Sequence, residues 1–182
     1  MPPSNFTLSV LVKLANRSRQ TDKAFQLVEQ LTKKYNFKPN AYVYANLVHA
    51  CVAPGDFRRG LGVLERMLEE GVRPDARTYA LLLRASLQHA EADDTVGLLR
   101  AGLGLRDAHP RLARFGRLAQ PNGGLQRNVL EETIEGIATS CAGQESKIVE
   151  LMQDLRKLPG IKLDPKLALR LTSQATRSAA GR

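Results

Sequence analysis

The phrase VRPDARTYALL begins at Val72, and a close copy, FKPNAYVYANL, begins thirty-five residues earlier at Phe37. Recurrence at a fixed period of roughly 20 to 50 residues marks a stacked repeat, in which each unit is too small to bury its apolar face alone. Aligning residue 5 with residue 41 and residue 76 brings the same physical roles into register, at steps of 36 and then 35 residues. Leu8, Leu11, Val12 and Ala15 form one helical stripe. Tyr44, Leu47, Val48 and Cys51 repeat it, as do Tyr79, Leu82, Leu83 and Ser86, all at the i, i+3, i+4, i+7 spacing of an amphipathic helix. A second stripe follows each first one: Ala24, Leu27, Val28, Leu31; Gly60, Val63, Leu64, Met67; Thr95, Leu98, Leu99, Gly102. Its leading residue stays small, which lets two helix backbones cross closely in an antiparallel hairpin.

Pro39 and Pro74 push the residues before them out of helical geometry, and Asn40 and Asp75 offer side-chain oxygens to the amides of the helix that follows. The repeated phrase is therefore the joint between hairpins. The predicted fold is all-α, an alpha-alpha superhelix of stacked helical hairpins: residues 5–40, 41–75 and an incomplete third unit at 76–103. The pattern then fails. Gly102 and Gly104 weaken the third unit's second helix, and Pro110, Pro121, Asn122, Gly123 and Gly124 interrupt the chain. Residues 104–128 read as an arginine-rich insertion, with Arg106, Arg111, Arg114, Arg117 and Arg127 against one acid, Asp107, and a short helix facing inward through Leu112, Phe115 and Ala119. A degenerate hairpin follows within 129–176, with stripes Leu130, Ile134, Ile137, Cys141 and Ile148, Leu151, Met152, Leu155, then a closing helix on Leu167, Leu171 and Ala175. Residues 177–182 read as a disordered tail.

A net charge of +9 favours polyanionic partners. Cys51 and Cys141 belong to no short metal-type pair, and His49, His89 and His109 have no ligand spacing with them, so neither a disulfide framework, a metal site nor another cofactor is expected. No nucleophile motif or paired carboxylates point to an enzyme. No run of 18 apolar residues indicates a membrane partner. Pro3 and Ser4 stand where Pro39 and Asn40 stand one unit later, so the reading expects the remains of a preceding repeat and hence a longer array.

The 35-residue period, the tyrosine opening the first helix, the small residue early in the second and the joint Gly71-Val-Arg-Pro-Asp75 together resemble the pentatricopeptide repeat family, most strongly from Asn5 to about Leu99. The resemblance implies single-stranded RNA as partner, in a mitochondrion or chloroplast, alongside other organelle RNA-processing proteins. It also implies one base per repeat, read by the residue after the tyrosine together with the last residue of the unit. Carried over, the reading residues are Ser9 with Asn40, Ala45 with Asp75, and Ala80 in the third unit; Ala45 and Ala80 have no hydrogen-bonding group where the family keeps Asn, Thr or Ser. The second residue of each unit, which flanks the base in such proteins, is Phe6, Tyr42 and Arg77. Stacking and inter-repeat packing both suit Phe6 and Tyr42. Phosphate contacts fall to Arg17, Arg111, Arg114 and Arg117, although a solvated basic face explains the insertion's arginines as well. Tyr44 and Tyr79, lying on the apolar stripe, are expected in the core. The competing reading is a protein-binding scaffold that uses the concave face of the same array.

Overall fold

The computed structural model describes residues 3–140, 145–161 and 163–180. Its elements are helical: α1 Asn5–Arg17, α2 Thr21–Tyr35, α3 Ala41–Val52, α4 Phe57–Glu69, α5 Ala76–His89, α6 Ala92–Leu103, α7 Pro110–Ala113, a 3-10 turn Gly116–Ala119, α8 Arg127–Ser140, α9 Glu145–Lys157 and α10 Pro165–Ala180. Helices pair as α1 with α2, α3 with α4, and α5 with α6. First helices then stack in chain order, α1 on α3, α3 on α5 and α5 on α8, while each second helix also meets the first helix of the next unit. The solenoid thus has one layer of first helices and one of second helices, and its core runs continuously between them.

The apolar stripes account for that core. Leu8, Val12, Tyr44, Leu47, Val48, Cys51, Tyr79, Leu82 and Leu83 are buried, and so are Ala24, Val28, Val63, Leu64, Met67, Leu98 and Leu99 across the hairpin seams. Leu130, Ile134, Ile137, Ile148, Leu151, Met152 and Leu155 extend the same core through the fourth hairpin and Leu171 carries it onto α10; Cys141 and the side chain of Ala175 lie outside the described residues. Leu11, Leu27 and Leu31 are only half-buried, at the margins of the seam. Cys51, fully enclosed, has its thiol pushed up to about 12 by burial, so it packs as a small apolar side chain rather than reacting as a thiolate.

Capping at the joints follows the sequence logic. Asn40 Oδ1 accepts from the Val43 amide at 3.1 Å and Asp75 Oδ1 from the Thr78 amide at 2.7 Å, while Ser4 makes the equivalent contact with the Thr7 amide at 3.4 Å. Each cap satisfies one amide that the helix itself leaves without a partner. Asn5 then ties units together: its Oδ1 accepts from the Asn40 amide at 3.0 Å and its Nδ2 donates to the Lys38 carbonyl at 3.1 Å.

α6 runs unbroken through Gly97 and Gly102 and ends at Gly104, whose φ of 68° supplies the left-handed residue that terminates a helix. The glycines are places of close approach. A Cβ on Gly97 would stand 2.9 Å from the His109 Cα, because the insertion's backbone lies directly on α6 there; the His109 amide donates to the Gly97 carbonyl at 2.9 Å. The insertion folds back onto the second-helix layer through α7. Its far end returns to the second joint, where the Asn122 amide donates to the Pro74 carbonyl at 2.7 Å. Arg100, buried on α6, donates to the Arg106 carbonyl at 3.0 Å and pairs with Asp154 of α9 at 3.1 Å, so one charged side chain joins the third hairpin, the insertion and the fourth hairpin.

The two stripe tyrosines lie in the core as predicted but differ at the hydroxyl. Tyr79 donates to the Ala119 carbonyl at 2.6 Å, anchoring the insertion. The Tyr44 hydroxyl is buried and makes no hydrogen bond among the described residues; burial, with the Glu70 carboxylate nearby, holds its phenol well above the ordinary range. Tyr79→Phe is therefore expected to destabilise the chain by about 1 to 3 kcal/mol through the orphaned carbonyl, while Tyr44→Phe is expected to be neutral. Urea unfolding midpoints of the two variants check this, and equal shifts would refute the difference.

Candidate nucleic-acid interface

Stacking places the same position of each first helix side by side, so a residue type recurring at 36- and 35-residue steps becomes a row across the surface. The row formed by Phe6, Tyr42 and Arg77 lies open: Phe6 is 78% exposed, Tyr42 45%, and Arg77 is exposed as well. Tyr42 stands at its centre between two cations. Lys13 Nζ lies 4.8 Å from the ring centroid and donates to the phenol oxygen at 2.8 Å; the Arg77 guanidinium lies 5.8 Å from the same centroid. The hydrogen bond from Lys13, reinforced by its charge, holds the Tyr42 phenol below its ordinary value.

Sequence reasoning missed a second row. Lys13, His49 and Arg84 each follow a member of the first row by seven residues, two helical turns, and all three are exposed. The i+7 step is the signal that would have found them. Arg84 is paired with Glu132 of α8, its Nε lying 3.1 Å from Oε1 and 3.0 Å from Oε2 and its Nη2 2.9 Å from Oε2.

The positions assigned to base reading are arranged otherwise. Ser9 is 2% exposed, with its hydroxyl accepting from Asn46 Nδ2 at 2.9 Å, and Ala45 and Ala80 are buried too. Asn46 is itself held across the seam, since Asn16 Nδ2 donates to its carbonyl at 2.9 Å. First helices pack so closely here that the residue after the tyrosine faces its neighbouring helix rather than open groove. Asn40 is exposed and Asp75 half-buried, each with Oδ1 engaged in capping.

The basic residues divide in the same way. Arg17 is exposed at the end of α1. Arg111 Nε donates to Glu65 at 2.8 Å, and Arg114 Nη2 reaches Glu65 at 3.1 Å and Glu69 at 2.5 Å, so both guanidiniums are neutralised on α4. They cross-link the insertion to the second-helix layer, whereas the open row of Phe6, Tyr42 and Arg77 belongs to the first-helix layer, as do Lys13, His49 and the Glu132-paired Arg84. Arg117 is exposed beside a hollow at the third joint. No group of three or more His, Cys, Asp or Glu side chains among the described residues is placed to hold a metal ion, and no helix among them is long and apolar enough to cross a membrane.

Stacked hairpins with a 35-residue step and a recurrent first-helix tyrosine define a helical-repeat protein. Residues 1–100 match the family model described as the pentacotripeptide-repeat region of PRORP, and the chain belongs to the pentatricopeptide repeat family. It is 25% identical over 99 residues to the mitochondrial 15S rRNA processing factor CCM1 of Komagataella phaffii, covering 53% of this chain and 13% of that protein. It is 29% identical over 80 residues to the mitochondrial pentatricopeptide repeat-containing protein At5g18390 of Arabidopsis thaliana, covering 44% and 17%. The aligned part of the chain thus spans less than a fifth of the length of these relatives. The crystal structure of the pentatricopeptide repeat protein PPR10 from maize shares the fold, with a TM-score of 0.64 at 16% identity, over 97% of this chain and 24% of that one.

Proposed function

We propose that the chain binds single-stranded RNA along its first-helix layer, within a mitochondrion or chloroplast, and serves RNA processing or stabilisation there. The observation that carries this reading is the open row of Phe6, Tyr42 and Arg77 with Lys13 beside it: flat faces for unstacked bases next to cations for phosphates. The name of the rRNA processing factor to which the chain is similar, and the mitochondrial and chloroplastic names of several relatives, agree with it. Ser9, Ala45 and Ala80 being enclosed, binding rests on stacking and charge, with Asn40 and Asp75 at the joints as the groups left to discriminate bases. Affinity is accordingly expected to depend weakly on sequence and strongly on salt. Titrating the chain into a fluorescein-labelled 12-nucleotide oligoadenylate across 50 to 200 mM salt is expected to give a log–log slope of about −2, for roughly three neutralised phosphates. No binding at the lowest salt would exclude the reading and leave the array as a protein-binding scaffold.

A further inference from the structure

The insertion between the third and fourth hairpins forms open hollows that the first-helix rows do not explain. Two hollows, of about 590 and 830 Å³, adjoin one another between the second joint, the end of the insertion and the turn before α10, and Arg73, Leu103, Gln120 and Ile161 line both. Arg127 lines the first and Arg117 the second. Among the described residues no acidic side chain lines either hollow, although Arg127 is paired with Glu131 at 2.8 Å. Arg73 and Arg117, which both line the larger hollow and pair with no acid among the described residues, make a place for an anion. Leu103, Leu118, Leu158 and Ile161 give the larger hollow an apolar portion, and the Gln120 amide supplies both a donor and an acceptor. A cleft of this size suits a compact ligand with one strongly anionic end.

We propose that the larger hollow is a nucleotide site: a phosphate sits between Arg73 and Arg117, and the ribose and base lie over Leu103 and Ile161 within reach of Gln120. The site is separate from the first-helix rows and does not depend on them. The nucleotide is either free or one residue of an RNA strand. The sequence could not show the site, because Arg73 and Arg117 belong to different units and meet only when the insertion returns to the Pro74 joint.

Fluorescent N-methylanthraniloyl-ADP and a dye-labelled 12-nucleotide RNA, each titrated with the full chain at 50 mM salt, test this. Arg117 is exposed and its side chain has no hydrogen-bond or ion-pair partner among the described residues, so Arg117→Glu is expected to leave the fold intact; Arg73 supports the Gln120 carbonyl at 3.0 Å and is the poorer variant. Arg117→Glu is expected to weaken binding at least tenfold and Arg117→Lys to restore most of it, while Tyr42→Ala leaves the ADP probe unaffected. Sensitivity of the ADP probe to Arg117→Glu identifies a free nucleotide as the ligand; sensitivity of the RNA alone identifies a nucleotide within a strand. Lys23→Glu, an exposed reversal on α2, controls for net charge. The proposal is overturned if neither probe binds, if both bind Arg117→Glu as well as the unaltered chain, or if Lys23→Glu weakens binding equally.

Discussion

Tyr42→Ala combined with Arg77→Glu is expected to lower affinity for a single-stranded 12-nucleotide RNA by about 100-fold at 50 mM salt while leaving helical content and unfolding midpoint unchanged. Loss of an aromatic platform under one base removes about 1 to 3 kcal/mol, a factor of roughly 5 to 150. Reversing Arg77 adds repulsion at a phosphate and lowers the salt slope by about one. The two changes are expected to be less than additive, because Arg77 lies over the Tyr42 ring and each partly orients the other. Tyr42→Phe keeps the ring and loses only the 2.8 Å bond from Lys13, so it is expected to stay within about threefold of the unaltered chain by the weakness of exposed polar pairs. The fold is insulated from these changes, since Tyr42 is nearly half exposed and its stripe neighbours Tyr44, Leu47 and Val48 carry the packing. RNA affinity unchanged in Tyr42→Ala would remove the first-helix row from the binding surface.

How much of this surface was legible depended on whether a contact lies within a unit or between units. Periodicity located Tyr44, Tyr79 and Leu64 in the core, because a 3.6-residue period fixes which face of a helix turns inward without knowledge of its neighbours. The caps at Asn40 and Asp75 were legible for the same local reason: three residues separate each cap from the amide it receives. Burial of Ser9 was not legible, since it follows from Asn46 in the next unit and from how closely two first helices approach. The insertion was the hardest case. Its arginines look alike in sequence, yet Arg111 and Arg114 find Glu65 and Glu69 on α4 whereas Arg117 is left at the third joint. That division is set by where the backbone docks on Gly97, and a charge pattern carries no record of docking.

The small residue leading each second helix makes the strongest claim about stability, and it is testable at Gly60. A Cβ there would lie 3.1 Å from Leu82 Cδ2 on α5 and 3.1 Å from Val52 Cγ1 on α3, so the residue sits where its own hairpin partner and the next unit converge. Leu82→Ala is expected to destabilise the chain by about 2 to 5 kcal/mol, because Leu82 is fully enclosed and a solenoid interface refills poorly. Gly60→Ala crowds both neighbours, costing about 1 to 3 kcal/mol from overpacking, partly offset by the roughly 1 kcal/mol by which alanine favours a helix over glycine. In the double variant the new methyl group enters the space that Leu82 vacates. The combined loss is therefore expected to fall short of the sum by about 0.5 to 2 kcal/mol. Urea unfolding of the four proteins of this cycle measures the coupling. Strict additivity would mean that α4 and α5 do not meet at Gly60, and the stacking of the second unit on the third would have to be redrawn.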